Sequence, residues 1–322
     1  MFQRLRNVDP LIVLIIAAVL VAIVAPARGG FADLFDTLTN IAIALLFFLY
    51  GARLSPQEAL SGLKNWKLHL TILVFTFVLY PIVGVALKPL ESLTGTSLYL
   101  GILYLTLVPS TVQSSVAFTS IAKGNIAGAI VSASASNLLG VLFTPLLAML
   151  LMGASGGIHV DSSVFIEIAI LLLLPFAVGQ LTRRWVKDFA KNKGTKVVDR
   201  GSIAMVVYAA FSKGMVDGIW SEISWLQLLF LVVFSAVLVA FMLWITRKLS
   251  SWLGFSRADT IAIEFCGSKK SLATGLPMAS VIFASGEVSL GLLILPLMIY
   301  HQVQLMICSA LAARYARAGA GD

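Results

Sequence analysis

Apolar residues in this chain fall into runs of roughly 15–25, the length a helix needs to cross about 30 Å of hydrocarbon. They are too long and too continuous for outer-membrane barrel strands, which alternate apolar and polar positions over about ten residues. The pattern predicts ten helical spans, near 10–27, 33–53, 67–87, 97–122, 126–152, 163–182, 200–219, 223–246, 259–284 and 287–313. The first run follows a basic N-terminus. Ala25-Pro26-Ala27-Arg28 is a poor cleavage sequence, so the run reads as a retained span.

Composition agrees with that pattern. Of 322 residues, 59% are hydrophobic and 12% charged, against about 45–50% and 25% in soluble domains. No water-soluble surface can be built from such a chain. The net charge of +8 is not a nucleic-acid signature, because the cations form no dense basic domain and sort instead by side of the membrane. Eighteen of the 23 Lys and Arg lie on the N-terminal side, including Arg53, Lys64, Lys67, Lys123 and the seven between Arg183 and Arg200. Arg28, Lys88 and Lys213 lie on the other. The positive-inside rule then puts both termini in the cytoplasm of a cell (inner) membrane protein, bathed by membrane lipids. Asp33, Asp36, Asp217 and Glu222 read as solvated external helix ends and Glu167 as interfacial. Cys266 and Cys308 lack metal-ligand spacing.

The basic loop 183–200 separates spans 1–6 in residues 1–182 from spans 7–10 in 201–322, and the ten spans make two halves of five, with span six opening the second half. An odd number of spans per half inverts one half relative to the other, the arithmetic of many secondary transporters. Asn40-Ile41-Ala42-Ile43 and Ser202-Ile203-Ala204-Met205 occupy comparable positions in the two halves. The fourth span of each half is the most interrupted. Span four carries Pro109-Ser110-Thr111-Val112-Gln113-Ser114-Ser115. Pro109 removes a donor, and the hydroxyls and amide can satisfy freed backbone groups. A proline kink alone is the plainer reading.

Span nine carries Glu264-Phe265-Cys266-Gly267-Ser268-Lys269-Lys270-Ser271 and then Pro277. Each ionised residue at mid-membrane costs about 2.5–3.5 kcal/mol on insertion scales. The cluster therefore marks a substrate or ion site, or a structural ion pair. Gly128, Ser132, Ser136 and Gly140 in span five form a small-residue packing stripe, with Asn137 beside it needing a partner. His301 in span ten reads equally as a proton carrier or a packing residue.

The segment Glu264–Pro277, followed by Leu295-Pro296-Leu297-Met298-Ile299-Tyr300-His301, resembles the bile acid:sodium symporter superfamily. More narrowly it resembles the SBF-like branch typified by the seventh vertebrate member. Val108-Pro109, Lys123-Gly124-Asn125 and Thr144-Pro145 fit the same pattern. The resemblance implies an all-α membrane protein of ten transmembrane helices in two inverted five-helix repeats, with broken helices 4 and 9 crossing near the bilayer centre. It also implies a panel domain of spans 1, 2, 6 and 7 and a core domain of spans 3–5 and 8–10.

In the bile-acid-carrying branch, a Ser-Asn pair and a Glu-x-Gly-x-Gln-Asn motif hold sodium. Here Gly267 aligns with the motif glycine, Phe265 stands where the acid belongs and Glu264 lies one residue early. Lys269 and Lys270 take the Gln and Asn positions, and Ser114-Ser115 or Ser115-Val116 replaces Ser-Asn. The family's span-five hydroxyls fall on Ala129 and Ala133, near Ser132 and Ser136.

These features together predict a secondary active transporter of a small organic anion, working by alternating access. Its coupling ion is a proton, carried by Glu264 or His301, or sodium at a residual site near Ser114, Ser115 and Glu264. No other cofactor is implied. Lys269 is expected to reach the oxygens that would surround a cation, with Glu264 as counter-charge, while Lys270 meets the substrate. The alternatives are a non-transporting membrane regulator of ion homeostasis with the same fold, and an intramembrane hydrolase pairing Ser268 with Lys269 or Lys270.

Overall fold

The computed structural model describes residues 10–53, 65–154, 166, 169–218, 223–284 and 288–318. Glu167, Glu222 and most of the expected outward loop 153–162 lie outside them. Every regular element among the described residues is helical. In chain order they are α1 (Pro10–Val24), α2 (Gly30–Arg53), α3 (Trp66–Ala86), α4 (Thr96–Leu107), α5 (Gln113–Ile121), α6 (Ile126–Ala154), α7 (Ala169–Lys191) and α8 (Lys196–Val216). Then come α9 (Trp225–Trp252), α10 (Arg257–Gly267), α11 (Leu272–Ile282) and α12 (Leu290–Ala318).

Six of these helices (α2, α3, α6, α7, α9 and α12) are long and apolar enough to cross a membrane, and α1 and α4 are shorter apolar helices. Large apolar side chains face outward: Val13, Ile16, Leu20 and Val24 on α1, and Leu226, Leu229, Val237 and Trp244 on α9. Contiguous exposed apolar surface of this extent belongs against lipid. This is a multi-pass membrane protein.

Predicted spans four and nine are each two helices. Residues 108–112 separate α4 from α5, and residues 268–271 separate α10 from α11. Val108 is extended (φ −74°, ψ 154°), the conformation Pro109 imposes on its predecessor. The basic stretch 183–200 differs from expectation, being helical but for a short connection. α7 runs to Lys191 and α8 starts at Lys196. Its apolar residues Trp185 and Phe189 are exposed and four apart, so they share one helix face among the cations.

The chain divides into two compact units, residues 1–54, 161–223 and 276–291, and residues 55–160, 224–275 and 292–322. In the first, α2 and α7 approach backbone to backbone. A Cβ on Gly51 would overlap the Phe176 carbonyl, and one on Gly179 the Phe48 carbonyl. Ser202 Oγ donates to the Ala42 carbonyl at 3.0 Å, joining the two sequence stretches compared above. Arg53 ties α2 to the end of α7, the start of α8 and the connection between them: Nη1 pairs with Asp199 at 2.7 Å, Nε donates to the Ala190 carbonyl and Nη2 to Thr195.

In the second unit, Leu68, Ile72 and Phe75 of α3, Ala129 and Ala133 of α6, and Ala262, Ile263 and Cys266 of α10 form one core cluster. The small-residue stripe of α6 receives the first break. The Pro109 ring fills the space a side chain at Gly140 would take, with atoms 2.7–3.2 Å from a Cβ there.

Candidate functional site

A chain that leaves helical geometry inside an apolar bundle exposes carbonyls and amides that must find partners. At the first break they find them in the second unit's own side chains. The Leu107 carbonyl accepts from Thr144 Oγ1 at 2.9 Å and the Ser110 carbonyl from Asn137 Nδ2 at 2.6 Å. The Ser110 amide donates to Ser136 Oγ at 3.1 Å. Asn137 thus has the partner its depth requires, and its Oδ1 also accepts from Thr274 Oγ1 at 2.7 Å.

The breaks also satisfy each other. The Ser271 amide donates to the Pro109 carbonyl at 2.8 Å. Ser110 Oγ donates to the Cys266 carbonyl at 2.6 Å and Ser115 Oγ to the Phe265 carbonyl at 3.1 Å. The Ser268 carbonyl accepts from the phenols of Tyr80 and Tyr300. The Lys270 amide and carbonyl are both bonded by the Gln304 amide group, at 2.9 and 2.8 Å.

Three further carbonyls are taken by one amine. Lys270, 0% exposed, donates from Nζ to the carbonyls of Thr76 at 3.0 Å, Thr106 at 2.7 Å and Val108 at 2.8 Å. The Tyr80 ring lies 4.1 Å from the same nitrogen. An ammonium has three donors and no acceptor, so this cradle uses its full capacity. The Thr76 carbonyl is free for a local reason. α3 contains a π-helical turn at Phe75–Leu79, in which the Tyr80 amide bonds the Phe75 carbonyl. The next residue, Pro81, has no N–H to offer Thr76. The Thr106 carbonyl is free because the helix stops at Leu107: its i+4 donor, the Ser110 amide, bonds Ser136 instead.

Lys269 is equally buried, 0% exposed, but its Nζ has no hydrogen-bond partner among the described residues. It lies 3.8 Å from the Phe118 ring centroid and 5.9 Å from that of Phe265. The geometry thus reverses the two lysines relative to expectation: Lys270 gathers the oxygens. Motif alignment fixes which residue replaces which, but not which side of a four-residue break each side chain leaves by. Glu264 forms no ion pair with either lysine. Both its oxygens accept from Tyr315 at 3.0 Å, and Arg247 Nη1 donates to that same phenol.

The other expected residues have these places. Thr111 Oγ1 bonds Ser114 at 2.8 Å and Ser115 at 2.9 Å, and Gln113 opens α5 with its side chain exposed. Ser132 bonds His69 Nδ1 at 2.6 Å. Ser268 Oγ donates to the Glu264 carbonyl at 2.6 Å, and Ser271 bonds Thr274 at 3.0 Å. His301 Nδ1 lies 2.9 Å from Gln304 Nε2. Ser268 is therefore not poised on a lysine amine. The hydroxyls of Ser114 and Ser115 face other hydroxyls and a carbonyl, while the Glu264 oxygens are held by Tyr315. Among the described residues no three His, Cys, Asp or Glu groups cluster as metal ligands.

Tyr80, Tyr315, Arg247, Phe118 and Thr76 were missed as site residues. Only Thr76 carried a local signal, the proline five positions on.

Two interrupted helices whose freed backbone groups meet inside an apolar bundle are the construction secondary transporters use for their sites. The chain belongs to the SBF-like CPA transporter family, which it matches over residues 9–317. It is a transporter. The protein PA2026 of Pseudomonas aeruginosa is 51% identical over 306 residues, 94% of this chain and 91% of that one. YfeH of Escherichia coli is 46% identical over 320 residues, 97% and 94% of the two chains. Sodium/bile acid cotransporter 7 of Rattus norvegicus is 34% identical over 287 residues, 85% and 82%.

Proposed function

We propose that this protein is a secondary active transporter that moves a small organic anion by alternating access, with the Lys270 ammonium built in where a bound cation would otherwise sit. The observation that carries the reading is the Lys270 cradle of three main-chain carbonyls between the breaks. A ring of carbonyls is what a sodium ion would need, and a tethered ammonium supplies the charge permanently. Anion selectivity follows from two half-helices, α5 and α11, that begin at the breaks. Their N-termini carry partial positive charge, and Lys270 adds a full one.

The wider frame of the proposal is ten spans in two inverted repeats, in a cell (inner) membrane, with both termini and the basic 183–200 segment cytoplasmic. The relative in Rattus norvegicus is named a sodium/bile acid cotransporter. The lysine pair argues that this chain keeps the transport and dispenses with the sodium.

The test is thermal-shift screening of the purified full-length protein against organic anions, with sodium replaced by potassium in parallel. At least one anion class should stabilise it equally in both salts. Stabilisation that saturates with sodium and vanishes in potassium would overturn the built-in cation.

A further inference from the structure

The two adjacent lysines have opposite surroundings. Around Lys270 everything needed by a charged amine is present. Among the described residues none accepts a hydrogen bond from Lys269 Nζ: α5 presents the face of Phe118 and α10 that of Phe265. Its titratable neighbours are the Cys266 thiol on α10 and the Cys308 thiol on α12, both free and buried. A buried thiol is a weak hydrogen-bond partner. Lys270, the next residue and a cation on the reading above, disfavours a second charge beside it. The acid of α10, Glu264, is occupied by Tyr315 of α12, which Arg247 of α9 also holds. An aromatic face attracts an ammonium, but it leaves three N–H donors without lone pairs in a place that solvent does not reach.

We propose that Lys269 is the proton-binding site of the transport cycle: a free amine in the conformation described here, taking up a proton in the conformation that opens it to water. The step is R–NH2 plus H3O+ giving R–NH3+ plus H2O. The reverse step, R–NH3+ plus H2O giving R–NH2 plus H3O+, releases the proton to water on the other side before Phe118 and Phe265 close over the amine again. Glu264, once released by Tyr315, supplies the counter-charge of the protonated state. The proton takes the coupling place that sodium cannot, since Lys270 fills the carbonyl ring. The role in a cycle rests on the transporter reading above, whereas the uncharged state of Lys269 rests on its surroundings.

The experiment is nitrogen NMR of the full-length protein, labelled with 15N at the lysine side chains and held in lipid nanodiscs. Amine and ammonium nitrogens resonate apart. Near neutral pH one lysine should appear as an amine, disappear in Lys269→Met, and convert to ammonium on acidification. Lys269→Arg, which cannot shed its proton, should melt below wild type, while Lys269→Met should melt at or above it. An all-ammonium spectrum at every pH where the protein stays folded would overturn the inference and leave the Lys270 reading intact. An amine signal that survives Lys269→Met, or Lys269→Arg melting with wild type while Lys269→Met melts well below it, would overturn it too.

Discussion

Replacing Lys270 by methionine, which keeps the length of the side chain and removes its charge, isolates the carbonyl cradle. The wild-type amine makes three hydrogen bonds of 2.7–3.0 Å. Hydrogen bonds to a charged group contribute about 1.5–3 kcal/mol each, so the gross loss is roughly 5–9 kcal/mol. Against it stands the dehydration of the ammonium, several kcal/mol per ion, which the variant no longer incurs. The carbonyls of Thr76, Thr106 and Val108 stay behind without donors, because Pro81 has no N–H for the first and the chain leaves helical geometry after Leu107 beside the other two. The net expectation is a destabilisation of about 2–5 kcal/mol, in line with breaking a buried charged contact from one side. At about 2–4 °C per kcal/mol in mid-sized domains, that lowers the Tm by on the order of 10 °C. Thermal unfolding of the purified variant in detergent, followed by loss of monodisperse protein, reads it directly. A Lys270→Met protein as stable as wild type would refute the reasoning, since three orphaned buried carbonyls cannot be neutral.

Three further expectations follow from the first unit and from charge. Gly51→Ala should lower the Tm by the equivalent of about 1–3 kcal/mol through overpacking on the Phe176 carbonyl, and an unchanged melt would show that α2 and α7 are not in contact there. Arg53→Ala should cost about 1 kcal/mol or less, because its pair with Asp199 is partly exposed; its clearer sign should be faster protease cleavage at 192–195, checked by limited digestion. Cysteines placed at Gly194 and at Lys88 should react with an impermeant thiol reagent from opposite sides of the membrane, and labelling from one side would break the ten-span topology.

The breaks were legible because their causes are local. Pro109 cannot continue a helix, and the charges of Glu264, Lys269 and Lys270 cannot sit in an unbroken apolar one. The small residues of α6 were legible as a packing stripe, and Gly140 under the Pro109 ring bears that out. What escaped the sequence is what depends on distant partners or on backbone detail. The π-turn of α3 turns Thr76 into an acceptor. Tyr315, 51 residues from Glu264, claims its oxygens, and Arg247, 68 residues from Tyr315, holds that phenol. Neither is visible in spacing. The basic 183–200 stretch looked like a loop because of its charge density. Trp185 and Phe189, four residues apart, carried the helical signal within it.

Flux of a stabilising anion into proteoliposomes of purified wild-type protein, with sodium or potassium as the only external cation, tests the central claim most directly. The account predicts saturable, protein-dependent uptake at the same rate in both salts, lost in Lys270→Gln or made sodium-dependent there. Uptake by the wild type that saturates with sodium and stops in potassium, left unchanged by Lys270→Gln, would contradict it.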